Sequence, residues 1–440
     1  MNDPWWRQKR WQIGVLLLLV TAVGSIDRQA LSVTAATIKG EYGLTNTQYG
    51  ALGFAFLIAY AVGQLLSGLV VDRLGTKRAL SLAVVWWSLA AMAHAFATGF
   101  WSFFIARACL GLTEGPNLPA AIKAIAEWFP RAERSMATGL VTAGTGLGLI
   151  LAPPVAGVLT SVFSWHAAFL VPGIAGLVWV WFWRRHYHLP EDHPSISAAE
   201  RRLAMSERVG EVRGRETVAQ RFALWGHYLR YRETWGLVLA RFVGDGAFYF
   251  FAFWLPLYLQ TERGFSVLKV AFIAVIPFIF ADVGSLAGGW LGQRLIRRGL
   301  SVDRSRKTMI WLGAVGSLAA WPVALTDSWP AALALCSIAI MMLQMKTASL
   351  FPIAADLFPA KDVATVWGLT GAAGSFGAAL FQWGVGFVVD GYGYDVAFAI
   401  ASSICIVQAL MITLFIPRIE PHMASASSLV NGWPTRWRRA

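Results

Sequence analysis

Two pairs of charged residues stand inside strongly apolar segments of this 440-residue chain. Asp27 and Arg28 are adjacent within "IGVLLLLVTAVGSIDRQALSV", and Arg107 and Glu114 lie seven residues apart within "ARACLGLTEG". Each charge inside a bilayer costs about 2.5 to 3.5 kcal/mol, so the four could together cost roughly 10 kcal/mol if they faced lipid. We therefore expect them to face the interior of a helix bundle or a wet cavity. The alternative to a functional site is a buried ion-pair network that joins two helices.

The chemistry of these side chains suggests two roles. An arginine stays protonated in proteins, and its planar guanidinium can bind a carboxylate through two parallel hydrogen bonds, so Arg28 and Arg107 are predicted to bind an anionic substrate. Burial and a nearby cation have opposite effects on a carboxyl group, so Asp27 and Glu114 are predicted to carry a coupling proton. Neighbouring residues of a helix point about 100° apart, so Asp27 and Arg28 should each find a partner on another helix or on the ligand.

Long apolar segments recur from one end of the chain to the other. The composition is 57% hydrophobic and 14% charged, whereas an ordinary soluble domain has about 25% charged residues. Each segment is close to the roughly 20 residues that a helix needs to cross a bilayer. The sequence predicts an all-α integral membrane protein with twelve transmembrane helices at 12–34, 47–71, 77–97, 100–124, 136–160, 165–183, 233–259, 268–293, 308–326, 330–355, 363–389 and 395–416.

The net charge of +13 has a topological explanation. Most of the 37 Lys and Arg residues fall at the termini and in the even-numbered loops. By the positive-inside rule both termini should be cytoplasmic, and we predict a bacterial cytoplasmic (inner) membrane protein. Charge that orients helices requires no nucleic-acid partner. The three cysteines lie in apolar segments without the spacing of a metal site, so no metal is predicted.

The two halves of the chain resemble each other in sequence. "EYGLT" at 41–45 resembles "ERGFS" at 262–266, and "EWFP" at 127–130 resembles "DLFP" at 356–359. Two related six-helix halves are typical of transporters whose binding site lies between the repeats near the middle of the membrane. The predicted organisation is a six-helix bundle at 1–183, a cytoplasmic linker loop at 184–232, a second six-helix bundle at 233–416 and a cytoplasmic tail at 417–440.

A motif between the second and third predicted helices adds a conformational element. "GLVVDRLGTKRAL" at 68–80 resembles the G-x-x-x-D-R-x-G-x-[KR]-[KR] signature of the major facilitator superfamily. Asp72 is predicted to pair across the interface of the two halves in one access state and to separate in the other. A glycine permits a tight turn at this point. The predicted latch comprises Gly68, Asp72, Arg73, Gly75 and Arg78.

Longer stretches resemble one branch of that superfamily over residues 10–416. "SIDRQALSV", "NLPAAIKAIAEWFPRAERSMATGL" and "ADVGSLAGGWLGQRLIRRG" are similar to the anion:cation symporter family, and closest to hexuronate and sugar-acid permeases. The resemblance implies two pseudo-symmetric bundles and transport of organic anions with protons, with no cofactor. It also implies proton coupling at Asp27 and Glu114, substrate or network cations at Arg28 and Arg107, and a hydrogen-bonding cavity residue at Tyr60.

Several positions depart from that family pattern. Thr145 stands where relatives often have an amide, and Ser375 stands where sugar-acid carriers can have Asn. Lys346 occupies a position where hexuronate-type relatives tend to have an aromatic residue. All three are predicted to contact the substrate. Lys346 could instead neutralise Asp282 or Asp356.

These observations favour a proton-coupled symporter that imports a small organic anion, a sugar acid such as a hexuronate or an aldonate, by alternating access. A carrier of an aromatic or other non-sugar carboxylate on the same fold is the first alternative, and a non-transporting membrane sensor is the second. No nucleophile–base pair or metal cluster is found, so the chain is not expected to be an enzyme. We expect a monomer in contact with membrane lipid. Arg241 and Asp245, at i and i+4, are expected to form a structural ion pair.

Overall fold

The computed structural model describes residues 8–205, 224–358 and 360–420. Those residues form α-helices, two 3₁₀ segments (His94–Phe96 and Ser317–Val323) and connecting turns, with no β-strand among them. The helices are α1 Lys9–Tyr42, α2 Asn46–Leu74, α3 Thr76–Ala93, α4 Phe100–Glu114, α5 Asn117–Trp128, α6 Arg131–Val162, α7 Ala167–His186, α8 Ala198–Met205, α9 Arg232–Thr261, α10 Val267–Ile273, α11 Val275–Arg297, α12 Val302–Gly316, α13 Trp329–Leu350, α14 Ile353–Leu357, α15 Ala360–Tyr392 and α16 Tyr394–Phe415.

Ten helical stretches within the described residues are long and apolar enough to cross a membrane. The other two predicted crossings, 100–124 and 308–326, are also helical, but each is interrupted. The first is divided between α4 and α5 at Gly115 and Pro116, and the second consists of α12 followed by the 3₁₀ segment that contains Pro322. A proline removes a backbone donor, which explains why a helix is weakened at these places.

The linker and the tail are described only in part. Residues 206–223 of the loop predicted at 184–232, and residues 421–440 of the predicted tail, lie outside the described residues. Residues 184–205 of the loop pack against the first half of the chain. There Arg10 of α1 forms ion pairs with Glu133 at 2.7 Å and with Glu200 of α8 at 3.4 Å.

Helices α2 and α4 pack backbone against backbone. A Cβ atom at Gly111 would lie 2.1 Å from the carbonyl oxygen of Phe56, and one at Gly115 would lie 2.6 Å from the carbonyl carbon of Gly63. Only residues without a side chain permit such an approach, which is the usual function of small residues between membrane helices. Arg107 precedes Gly111 by one turn, so this contact fixes the height of its side chain in the bundle.

The two halves of the chain contact each other toward the predicted outer side. Asp390 of α15 accepts hydrogen bonds from the backbone N–H groups of Asn46 (3.1 Å) and Thr47 (2.7 Å) and from the Thr47 hydroxyl (2.6 Å). We call this contact the outer lock. Nearby, the hydroxyl of Tyr49 donates to the Phe253 carbonyl at 2.7 Å. The structure is therefore closed at this end.

The predicted latch lies at the opposite end of α2. Gly75 has φ +75°, as the tight turn between α2 and α3 requires, and Arg73 and Arg78 are exposed. The carboxylate of Asp72 pairs with Lys123 at 2.9 Å. Because Lys123 belongs to α5, this pair forms within the first half. The predicted contact across the interface in the other access state stays a prediction. Half-buried Gly68 lies one turn before Asp72 on α2.

Candidate functional site

An ion pair between α1 and α4 forms the centre of the candidate site. Nη2 of Arg28 lies 2.5 Å from Oε1 of Glu114, and these side chains are 17% and 3% exposed. Glu114 also touches α1 directly, because a Cβ atom at Gly24 would lie 3.3 Å from Oε1. The expectation that Arg28 finds its partner on another helix is confirmed.

Arg107 is a second buried cation beside this pair. Its guanidinium donates hydrogen bonds to the backbone carbonyl of Arg28 at 3.2 and 3.3 Å. Its Cζ lies 5.2 Å from the ring centre of Phe56 and 5.7 Å from that of Phe253. None of the carboxylates in the described residues forms a salt bridge with Arg107. Aromatic faces and a carbonyl stabilise the cation but do not neutralise it.

Asp27 differs from the other three charged residues because it has no partner among the residues that the structure describes. Only 1% of its surface is exposed, and neither carboxylate oxygen accepts a hydrogen bond from any described residue. An ionised carboxylate in that situation is strongly destabilised. With Asp27 in its neutral form, the two arginines and Glu114 leave the group one positive charge in excess.

Aromatic residues from both halves enclose the charged group. The Arg28 guanidinium lies 5.1 Å from the ring of Tyr60 and 5.3 Å from that of Phe56, both on α2. From the second half, Phe253 of α9 lies 5.7 Å from the Arg107 guanidinium, and Tyr249 packs on Phe253 with ring centres 5.8 Å apart. The site therefore lies between the two halves.

Tyr249, Phe56 and Phe253 were not among the site residues predicted from the sequence. Asp245, Tyr249 and Phe253 are four residues apart in sequence. This spacing indicates that their side chains lie on one face of α9.

Two of the other predicted substrate residues lie on helices that adjoin this space. Thr145 is half-buried on α6, and Ser375 is buried on α15. Ser375 follows Gly374, where a Cβ atom would meet Asp245 of α9 at 2.2 Å. Among the described contacts, none connects Thr145 or Ser375 with the Arg28–Glu114 pair. The roles of both residues stay predictions.

Lys346 lies inside the second half and is 1% exposed. Its ammonium group donates to the side-chain carbonyl of Gln408 on α16. It does not neutralise Asp282 or Asp356, as one interpretation proposed: Asp356 pairs with Arg306 at 3.0 Å, and Asp282 packs against Gly146. Nothing in the described part of the chain connects Lys346 with Arg28, so its substrate contact stays a prediction.

The chain is similar in sequence to known membrane transporters. The model of a family described as Major Facilitator Superfamily matches residues 17–302. The chain is 32% identical over 405 residues to a hexuronate transporter of Escherichia coli, which covers 92% of this chain and 93% of that protein. It is 32% identical over 335 residues to a galacturonate transporter of Dickeya chrysanthemi, at 76% and 96% coverage.

A solved structure has the same fold. The bacterial homolog to the human lysosomal transporter Spinster, in an inward-facing and occupied conformation, superimposes with a TM-score of 0.73 at 16% sequence identity, over 94% of this chain and 96% of that one.

Proposed function

The chain belongs to the major facilitator superfamily and is a membrane transporter rather than an enzyme, and we propose that it is a proton-coupled symporter that imports a sugar acid. The observation that carries this proposal is the buried Arg28–Glu114 pair, with Arg107 and the unpartnered Asp27 beside it, between the two halves. The names of the two relatives support a hexuronate as the class of substrate.

Substrate binding and proton binding are coupled through competition for Arg28. A substrate carboxylate that forms two parallel hydrogen bonds with Arg28 displaces Glu114 from the guanidinium. Glu114, which is 3% exposed, then lacks a counter-ion, and a buried carboxylate without one takes up a proton. One anion and one proton thus enter the site together, and departure of the anion allows Glu114 to return its proton and pair with Arg28 again.

Asp27 supplies a second position for a proton. Its carboxylate is buried without a hydrogen-bond partner among the described residues, which supports a neutral form in this state. Arg107 lies close by and cannot release its own proton. A proton on Asp27 therefore preserves the excess of positive charge that attracts an anion.

Import requires that the outer lock opens and closes. Rocking of one half against the other would expose the site alternately to each side. In the closed arrangement described above, substrate would leave toward the predicted cytoplasmic side. A cytoplasmic orientation of both termini, an inner-membrane location and a monomeric state belong to the same proposal.

Uptake into proteoliposomes tests the proposal. We expect labelled hexuronate to accumulate when the lumen is alkaline, and unlabelled substrate to carry protons inward that a trapped pH dye records. Glu114→Gln should abolish accumulation while counterflow exchange continues, because a permanently neutral side chain leaves Arg28 free for substrate. Uptake that neither needs nor moves protons would refute the coupling.

The same assay distinguishes the alternative substrate class. An aromatic carboxylate that competes at lower concentration than any sugar acid would identify a carrier of non-sugar acids on this fold.

A further inference from the structure

An ion pair on α9 lies one helical turn from the candidate site. Both Nε and Nη2 of Arg241 lie 3.0 Å from the same oxygen, Oδ2 of Asp245. Oδ1 receives no hydrogen bond from the described residues, and the Asp245 side chain is 17% exposed. The arrangement therefore leaves one carboxylate oxygen free to accept a hydrogen bond from a ligand.

The pair is held rigidly on its other sides. The Arg241 guanidinium lies 4.9 Å from the ring centre of Phe351 and 5.0 Å from that of Trp367, and these rings are themselves 5.2 Å apart. A Cβ atom at Gly374 would come within 2.2 Å of Oδ2 of Asp245. Cation–π contacts and close packing thus fix the direction of the carboxylate.

Asp245 lies on the face of α9 that contacts the charged group. Asp245, Tyr249 and Phe253 are spaced by four residues and share one face of α9. Phe253 packs on Arg107 at 5.7 Å, and the ring centres of Tyr249 and Phe253 are 5.8 Å apart. One helical turn, about 6 Å, separates Asp245 from Tyr249 along the helix axis.

We propose that Asp245, positioned by Arg241, binds a hydroxyl group of a polyhydroxy acid whose carboxylate binds Arg28. This inference rests on the proposed function. A hydroxyl group suits the position because it donates to Oδ1 and carries no charge. A second carboxylate on the ligand would be repelled by Asp245, whose charge lies on the near side of the Arg241 guanidinium. The pair therefore selects hydroxylated monoacids over simple carboxylates and over diacids.

The test combines a residue change with a change in the substrate. Counterflow competition in proteoliposomes compares a hexuronate with a series of analogues that each lack one hydroxyl group. For the wild-type protein we expect one analogue to compete about tenfold less well, because a hydrogen bond to a charged group is lost. The measured quantity is the ratio between the concentrations at which that analogue and the hexuronate compete. In Asp245→Asn this ratio should fall to about twofold, because a hydrogen bond to an uncharged amide is weaker than one to a carboxylate.

Two further variants make the result decisive. Asp303→Asn is the matched control, because Asp303 forms an i,i+4 ion pair with Lys307 at 2.7 Å; it should leave the ratio unchanged. Arg241→Lys keeps the positive charge but loses the planar guanidinium that positions Asp245, so it should lower the ratio as Asp245→Asn does. This variant replaces Asp245→Asn in the test if Asp245→Asn does not fold.

The outcomes separate this inference from the function on which it rests. If Asp245→Asn weakens the hexuronate and every analogue equally, the residue is only structural and the inference is overturned. A wild-type protein that binds a six-carbon diacid better than the monoacid also overturns it. Absence of any sugar-acid exchange by the wild-type protein refutes the proposed function itself.

Discussion

Removal of the negative charge from the outer lock should shift the protein toward an outward-open state. In Asp390→Asn, an amide oxygen replaces a carboxylate that accepts three hydrogen bonds, at 3.1, 2.7 and 2.6 Å, from Asn46 and Thr47. A carboxylate at a helix N-terminus contributes about 0.3 to 1 kcal/mol, and each exposed charged contact adds at most about 1 kcal/mol. The expected loss is about 1 to 2 kcal/mol, which changes the ratio of the two states about 5- to 30-fold.

Distances between spin labels measure that ratio. Labels at Thr98 in the first half and Leu325 in the second half, both exposed and on the predicted outer side, should show a larger long-distance population in Asp390→Asn. Asp395→Asn is the matched control, because Asp395 is exposed near the same end but is not part of the outer lock. Unchanged distances in Asp390→Asn, or an equal shift in Asp395→Asn, would show that the lock does not hold the halves together.

Two further predictions concern packing. Gly111→Val should prevent folding, because the new Cβ atom would lie 2.1 Å from the carbonyl oxygen of Phe56. Fluorescence-detected size exclusion in detergent measures the folded protein, and a normal elution profile would contradict the close packing of α2 and α4. Lys346→Met should lower thermal stability, by about 1 to 3 kcal/mol, because it leaves the buried Gln408 without its partner. The substrate profile of this variant tests the predicted substrate contact of Lys346: an altered profile supports the contact, and an unchanged profile removes Lys346 from the binding site.

Some features of the fold and the site were predictable because they depend on local chemistry. Apolar length indicated the membrane helices, and the cost of a buried charge indicated that Arg28 needs a partner outside α1. The left-handed turn at Gly75 followed from the one residue type that adopts it freely.

Other features depend on which side chains meet across helices, and sequence spacing does not determine that. The lack of a partner for Asp27 is a property of its surroundings in three dimensions. The family pattern marked Lys346 as unusual, but it did not indicate the hydrogen bond with Gln408 on α16 or the close approach of Gly313, where a Cβ atom would lie 2.6 Å from the Lys346 Cβ. The pairing of Asp72 with Lys123 within one half depends on the access state, which a single sequence does not specify.

The glycine contacts between α2 and α4 have a consequence for the direction of transport. Backbone atoms in direct contact at Gly111 and Gly115 leave α2 and α4 little room to slide against each other. Arg107 on α4 therefore keeps its height relative to Tyr60 on α2 whichever side of the membrane the site faces. Under the proposed mechanism, a difference between the affinity outside and the affinity inside comes from protonation and from α9, whose aromatic face changes its position relative to these helices.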